Sequence, residues 1–360
     1  MLNEMKKYVL LHAKTLGVDK EASTILRNIK SLDDSIHGWG YTFFRAAEKA
    51  EKRKNATLAL GLYNIARFPY PKTPIQIEAY QRYLDFFKNY YISTYQFEEK
   101  TTKGAQQNFY LKTGRYNDIV ILCGGIISLK EQWVNAANIF HSMGFSVILT
   151  EMPAVGENKT PYNKNAFSMF SDILDVIGYS EKDNCHLIAM SFSGHIALMN
   201  SFIDKRIKAI TMVGTPIYDL YHNYDTFFSL PDITKDILRK NTHCIAQNRE
   251  TFNYLSNEFS HEIIKNPHLN IFYLQSQFDD IISLTEADHL QDKFGNFHKL
   301  CLPDEHGSPN YHKTVIFYIA WSVLQHSRKK WPLRLLLAGM TSLSRRLYQI
   351  KHIFFKTSSR

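Results

Sequence analysis

The chain has 360 residues, 44% hydrophobic and 14% aromatic, enough to bury one large core and carry an appended smaller unit. Its net charge of +9 comes from one end, residues 326–360, which hold nine basic residues (Arg328, Lys329, Lys330, Arg334, Arg345, Arg346, Lys351, Lys356 and Arg360) and no Asp or Glu. Taking those nine from 43 leaves 34 basic against 34 acidic residues, so the body is neutral and a nucleic-acid surface on it is excluded.

Residues 1–90 show helical spacing and no strand alternation: Phe43, Phe44, Ala47 and Ala50 form one stripe, and Leu58, Leu62, Ile65 and Ala66 a second. Tyr80, Tyr83, Leu84 and Phe87 form a third, after Pro69, Pro71 and Pro74. This predicts a helical cap whose aromatic rings are core or line a cavity for a largely apolar substrate. Met1 to Leu16 carries Glu4, Lys6 and Lys7 and only a short apolar run, so neither a signal peptide nor a membrane span is expected. From Tyr91 the period changes. Tyr95–Glu98 and Asn108–Lys112 are expected to form a hairpin. Asp118–Cys123 is a short apolar run of the kind buried on both faces of a sheet, stopped by Gly124-Gly125. Helices over 129–142, 167–177 and 285–294 alternate with strands over 145–151, 185–190, 209–213, 269–275 and 298–302, and a last helix spans 311–325. That alternation predicts an α/β class with a mostly parallel, doubly wound sheet over 91–325. Residues 217–270 interrupt it as a helical insertion over the site. Cys123, Cys185, Cys244 and Cys301 lie far apart, without metal-ligand spacing, and fit inert thiols in a reducing, cytoplasmic compartment.

The chemistry gathers at strand ends. In Cys185-His186-Leu187-Ile188-Ala189-Met190-Ser191-Phe192-Ser193-Gly194-His195 an apolar run ends at a serine and a helical pattern begins at once, the order of a nucleophile elbow. The usual glycines on either side of the serine are here Ala189 and Ser193. A serine hydroxyl needs a base to take its proton and an acid to orient that base. Asp279 ends a later strand and His306 follows the last one, 88 and then 27 residues on. Asp279 is preferred to Asp280 because it stands three residues after Ser276 and ahead of the returning pair Ile281-Ile282. Asp304 and Glu305 lie so close to His306 that solvated roles are expected for them. The oxyanion donors are expected to be Phe192 N–H and either Gly125 or Ile126 N–H.

Cys123-Gly124-Gly125-Ile126-Ile127-Ser128-Leu129-Lys130-Glu131, Glu151-Met152-Pro153-Ala154-Val155-Gly156-Glu157, the elbow, Asp279 and His306 together resemble the α/β-hydrolase superfamily. More narrowly, they resemble the FrsA-type esterase branch with its 2,6-dihydropseudooxynicotine and fungal heptaketide hydrolases. The resemblance implies an α/β-hydrolase fold under a helical N-terminal cap, with Ser191 as nucleophile, Asp279 as acid and His306 as base. It implies no cofactor and no metal, and cleavage of an ester or of a C–C or C–N bond beside a carbonyl in a small acyl substrate. An acyltransferase or thioesterase-like enzyme, or a non-catalytic binding protein, would use the same scaffold.

In 333–356, Leu336, Met340, Leu343, Leu347, Ile350 and Phe354 fall at steps of four and three, one apolar stripe on a basic helix. Such a helix suits a membrane surface, an acidic partner, or packing on its own domain. A homodimer is compatible with the sequence.

Overall fold

The computed structural model describes residues 1–180, 184–244, 247–326 and 331–357; the side chains of 105, 326, 331 and 349–357 lie outside that description. Residues are grouped in two compact units: Met1–Glu99 with Pro231–Lys240, and Lys100–Leu230 with Asn241–Arg360.

The first unit is helical: α1 (Leu2–Leu16), α2 (Asp19–Leu26), α3 (Trp39–Lys52), α4 (Ala56–Ala66), α5 (Pro74–Phe87) and the short α6 (Ser93–Tyr95). The sequence sets these ends. Thr73 and Gln76 form a reciprocal cap at the start of α5, with Pro74 just inside it, where a missing N–H costs nothing. Phe43, Phe44, Ala47 and Ala50 are buried, as are Leu62, Ile65, Ala66, Tyr83, Leu84 and Phe87, so these stripes are core except at Leu58 and Tyr80, which are partly exposed. Residues 231–240, expected to belong to the inserted stretch 217–270, are part of this unit instead. The Glu4 carboxylate accepts from Asp232 N–H (3.3 Å) and Ile233 N–H (3.2 Å), opening the helix α12 (Asp232–Thr242), and Lys72 Nζ lies 2.5 Å from Asp236. A boundary at 90 therefore falls short: nothing in the local pattern records that ten residues far downstream complete the helical core.

The second unit is built on the sheet. Its strands are β1 (Glu98–Thr101), β2 (Asn108–Lys112), β3 (Ile119–Cys123), β4 (Ser146–Thr150), β5 (Cys185–Met190), β6 (Ile207–Val213), β7 (Asn266–Ser276) and β8 (Phe294–Leu302). They lie in the order β1-β2-β4-β3-β5-β6-β7-β8. From β4 to β8 every pairing is parallel, and β2 joins β4 antiparallel. All five residues of β3 are buried, which is why its sequence is an unbroken apolar run. The connecting helices are α7 (Val134–Ser142), α8 (Met169–Val176), α9 (Ser193–Ile203), α10 (Asp219–His222), α11 (Tyr224–Phe228), α13 (Asn248–Phe259), α14 (His312–Val323) and α15 (Trp331–Thr357).

Two expectations need correcting. The helix expected over 285–294 shrinks to a 3-10 turn, Glu286–Leu290, and Phe294 already belongs to β8. Residues 95–97 do not form a strand; Ser93–Tyr95 is helical and β1 starts at Glu98. Aromatic and branched residues favour strands only where a neighbouring strand is available, and helix propensity in 285–294 is overridden by the sheet edge.

Candidate functional site

Strand β5 ends in Met190, and Ser191 takes φ +56°, a left-handed conformation that a non-glycine residue adopts only when its surroundings over-determine it. The surroundings here do so. Ser191 N–H donates to Val213 O (2.7 Å) at the end of β6, and Ser191 O accepts from Gly194 N–H (3.0 Å) and the Thr215 hydroxyl (3.0 Å). The substituted motif positions explain themselves. Ala189 is wholly buried in the strand, and the Ser193 hydroxyl donates to Met190 O (2.9 Å) and Cys123 O (3.2 Å), stitching the elbow to the end of β3. The position that cannot carry a side chain is Gly194, where a Cβ would stand 2.2 Å from Thr215 Oγ1.

His306, in the turn after β8, points Nε2 at Ser191 Oγ (3.0 Å) and Nδ1 at Asp279 Oδ2 (2.8 Å) and Oδ1 (3.1 Å). A carboxylate only accepts, so Nδ1–H donates to Asp279 and leaves Nε2 bare to accept from the serine hydroxyl. Asp279 is held in turn, its Oδ1 accepting from Ile281 N–H (2.9 Å) and Ile282 N–H (3.0 Å), the returning apolar pair of the sequence reading. Its side chain is 2% exposed, whereas Asp280 faces solvent. Burial alone would push the His306 imidazole down; the charge and hydrogen bond of Asp279, aided by Asp280, outweigh it and hold the pKa above its ordinary value. Among the described residues His306 is the histidine that reaches Ser191. His195, four residues beyond the serine, is pushed down to about 3, by burial first and then by His261 and His222, and so stays neutral in the core.

Asp304 departs from expectation. It is buried rather than solvated, and its carboxylate accepts from Glu305 N–H (2.9 Å), Asn310 N–H (2.7 Å), Asn310 Nδ2 (2.7 Å) and Tyr311 N–H (3.3 Å), fixing the turn that presents His306. Gly214, which follows the strand expected over 209–213, is a residue of the candidate site that the sequence analysis did not single out. Its φ is +56°, and a Cβ there would lie 3.0 Å from His306 Cε1 and 3.4 Å from Asp279 Oδ2. Gly214→Ala is expected to cost about 1–2 kcal/mol from the backbone alone and to displace His306. Thermal unfolding together with the rate of covalent modification of Ser191 checks this, and an unchanged rate would show that the imidazole has room to spare.

On the other side of the serine, Gly125 comes so close that a Cβ would sit 3.0 Å from Ser191 Cβ; Ile126 follows in the same loop. Phe192 is the N-cap residue of α9, so its N–H is among the amides at the helix start that have no intrahelical acceptor. The Gly125 loop is anchored by a buried charge cluster. Lys130 Nζ lies 3.0 Å from Glu131, 3.4 Å from Glu151 and 2.6 Å from Glu157, while Glu151 accepts from Lys130 N–H (3.3 Å) and Glu157 N–H (2.9 Å). Burial raises Glu151 to about 7, although Lys130 pulls it back. A carboxyl whose folded pKa exceeds its unfolded value of about 4.5 disfavours the folded state increasingly as pH rises between those values. Lys130→Met should therefore lose roughly 3–5 kcal/mol near pH 8 and less near pH 6, where Glu151 can take up a proton. Urea unfolding at both pH values measures it; an equal loss at both would show that Glu151 is not the group left stranded.

Cys123 and Cys185 are buried, and burial pushes both thiols up, away from nucleophilic use. Among the described residues no group of three or more His, Cys, Asp or Glu is arranged to hold a metal ion.

The model of the family described as "Esterase FrsA-like" matches residues 43–265. Esterase FrsA of Vibrio vulnificus strain YJ016 is 23% identical over 223 residues, 56% of this chain and 54% of that protein. Esterase FrsA of Vibrio parahaemolyticus is 23% identical over 133 residues, 35% of this chain and 32% of that protein. The chain thus spans about half or less of the length of the curated relatives it matches. The solved structure of wild-type AbyA5 superposes with a TM-score of 0.84 at 24% identity, over 95% of this chain and 99% of that one. That of 2,6-dihydroxy-pseudo-oxynicotine hydrolase gives 0.63 at 15% identity, over 79% and 86%. At these identities the structural likeness establishes a shared α/β-hydrolase fold.

Proposed function

Since the chain belongs to the FrsA-like esterase family, we propose that it is a serine hydrolase that cleaves an ester or related acyl bond through an acyl-enzyme on Ser191. The observation that carries this reading is the run of contacts from Ser191 Oγ to His306 Nε2 (3.0 Å) and from His306 Nδ1 to Asp279 (2.8 Å), with the serine held at φ +56°.

In this reading His306 Nε2 takes the hydroxyl proton as Oγ bonds to the substrate carbonyl carbon. The carbonyl oxygen gains the displaced electron pair, and the N–H groups of Phe192 and of Gly125 or Ile126 receive it. Collapse expels the alcohol, which leaves with the proton from His306. Water then attacks the acyl carbon, giving a proton to His306, and a second collapse frees the acid and returns that proton to Ser191. Asp279 stabilises the imidazolium formed at each step without taking the proton itself. No step requires a cofactor. A C–C or C–N bond to the attacked carbonyl carbon would break by the same sequence, with the carbanion or amine protonated by His306 as it leaves.

The test is covalent. A fluorophosphonate probe is expected to incorporate at one site per chain, in the peptide containing Ser191, and p-nitrophenyl esters of short and medium chain acids to be hydrolysed. Absence of incorporation by the folded protein refutes the proposal.

A further inference from the structure

The C-terminal helix packs on the sheet unit by one face and presents another to solvent. Leu337 and Ser344 are buried, the Ser344 and Thr314 hydroxyls are 2.8 Å apart, and the Tyr348 ring lies 4.9 Å from that of Tyr311. At 100° per residue, Leu337, Thr341, Ser344 and Tyr348 share that inner face. The stripe expected from the sequence is a different one. Leu336, Leu343 and Leu347 are 58%, 58% and 57% exposed, Leu335 is 58% exposed beside them, and Met340 is half-buried within the row. Ile350 and Phe354 continue the stripe in sequence, but their side chains lie outside the described residues. Packing on its own domain therefore accounts for one face of α15 and leaves its leucine row uncovered.

We propose that this row, set in a basic C-terminal segment, seats the protein on an anionic phospholipid surface, the helix lying in the plane of the interface. Charge selects the occupant. Residues 326–360 hold nine Lys and Arg and no Asp or Glu, while the remainder of the chain is balanced. Arg346 is exposed at the flank of that row, and Arg345 is exposed on the opposite side of the helix. A second copy of the chain would bring two such segments face to face at a repulsive cost. A folded protein partner is usually gripped by aromatic anchors in shaped pockets, whereas the exposed row is leucine, a side chain under-represented among the residues that dominate protein interfaces. Lipid needs no shape complementarity, only apolar side chains at the acyl boundary and cations at the headgroups. No helix among the described residues is long and apolar enough to cross a membrane, so the attachment is peripheral.

Flotation of the full chain with vesicles tests this. The protein should rise with phosphatidylcholine vesicles containing phosphatidylserine, should remain behind with phosphatidylcholine alone, and should be released by raising the salt concentration. Each basic side chain near an anionic leaflet contributes on the order of fivefold to partitioning, so Arg346→Glu, at the flank of the row, should weaken binding by roughly fivefold or more. Leu336→Ser with Leu343→Ser and Leu347→Ser should abolish it. Both changes lie on exposed positions, and melting temperatures matching the parent would confirm intact folds; if the serine variant is unstable, the charge reversal decides alone. Failure of the parent to float, equal recovery on neutral vesicles, or full binding by a well-folded variant each overturns the proposal. So does a leucine-dependent dimer, seen by sedimentation, in a protein that ignores vesicles.

Discussion

Ser191→Ala is expected to eliminate fluorophosphonate incorporation and to lower ester turnover by about four to six orders of magnitude. The size follows from what alanine removes. The only atom lost is Oγ, the one held 3.0 Å from His306 Nε2, and no neighbouring hydroxyl among the described residues shares that imidazole. The effect on folding should be small, within about 1 kcal/mol. Alanine keeps the same Cβ at the same left-handed backbone, and the backbone bonds from Ser191 to Val213 and Gly194 do not involve the side chain. Intact stability with lost labelling is the expected pair of results. Labelling that survives the substitution would place the nucleophile elsewhere.

Asp279→Asn should lower kcat/KM by about 10⁴-fold, close to the loss expected for Ser191→Ala. The side chain keeps its size and one oxygen, enough to go on accepting from Ile281 and Ile282. What changes is the hydrogen-bond code at His306. An amide can offer Nδ2–H where a carboxylate offered only lone pairs, so Nδ1 becomes the acceptor and Nε2 carries the proton. The imidazole then confronts Ser191 with a donor and cannot take its proton. The pH dependence moves as well. Activity needs the neutral imidazole and is lost as pH falls through the His306 pKa; Asp279 is the main influence that raises this pKa against burial. With its charge gone the residual activity should persist to lower pH than in the parent. A pH series of kcat/KM on both proteins measures rate and limb together, and an unshifted limb would show that Asp279 does not govern the imidazole.

The local features of the site were legible because they rest on short-range rules. An apolar run meeting a helical pattern at a serine predicts a strand, a sharp turn and a helix, and Met190, Ser191 and Ser193 follow that order. Asp279 and His306 could be chosen because parallel sheets deliver their strand ends to one edge, and because the returning pair Ile281-Ile282 marked which aspartate is gripped by backbone amides. The burial of Asp304 left no trace in the sequence. Its partners Asn310 and Tyr311 come from the next turn, and whether a carboxylate beside a histidine is solvated or caps a loop depends on the path of that turn. Gly214 was equally silent, since a strand-ending glycine looks the same whether solvent or an imidazole lies over it.

By itself the sequence determined the alternation of strands and helices, the sharp turn at Ser191 and the order serine, aspartate, histidine, because periodicity and turn chemistry act between residues a few places apart. Only the tertiary structure decided that residues 231–240 complete the helical unit, that Asp304 is buried in the turn carrying His306, and that the leucine row of the last helix faces outward. An apolar stripe declares that something must cover it. Whether protein, lipid or another chain does so is settled by long-range packing, which the spacing of residues along one helix does not encode.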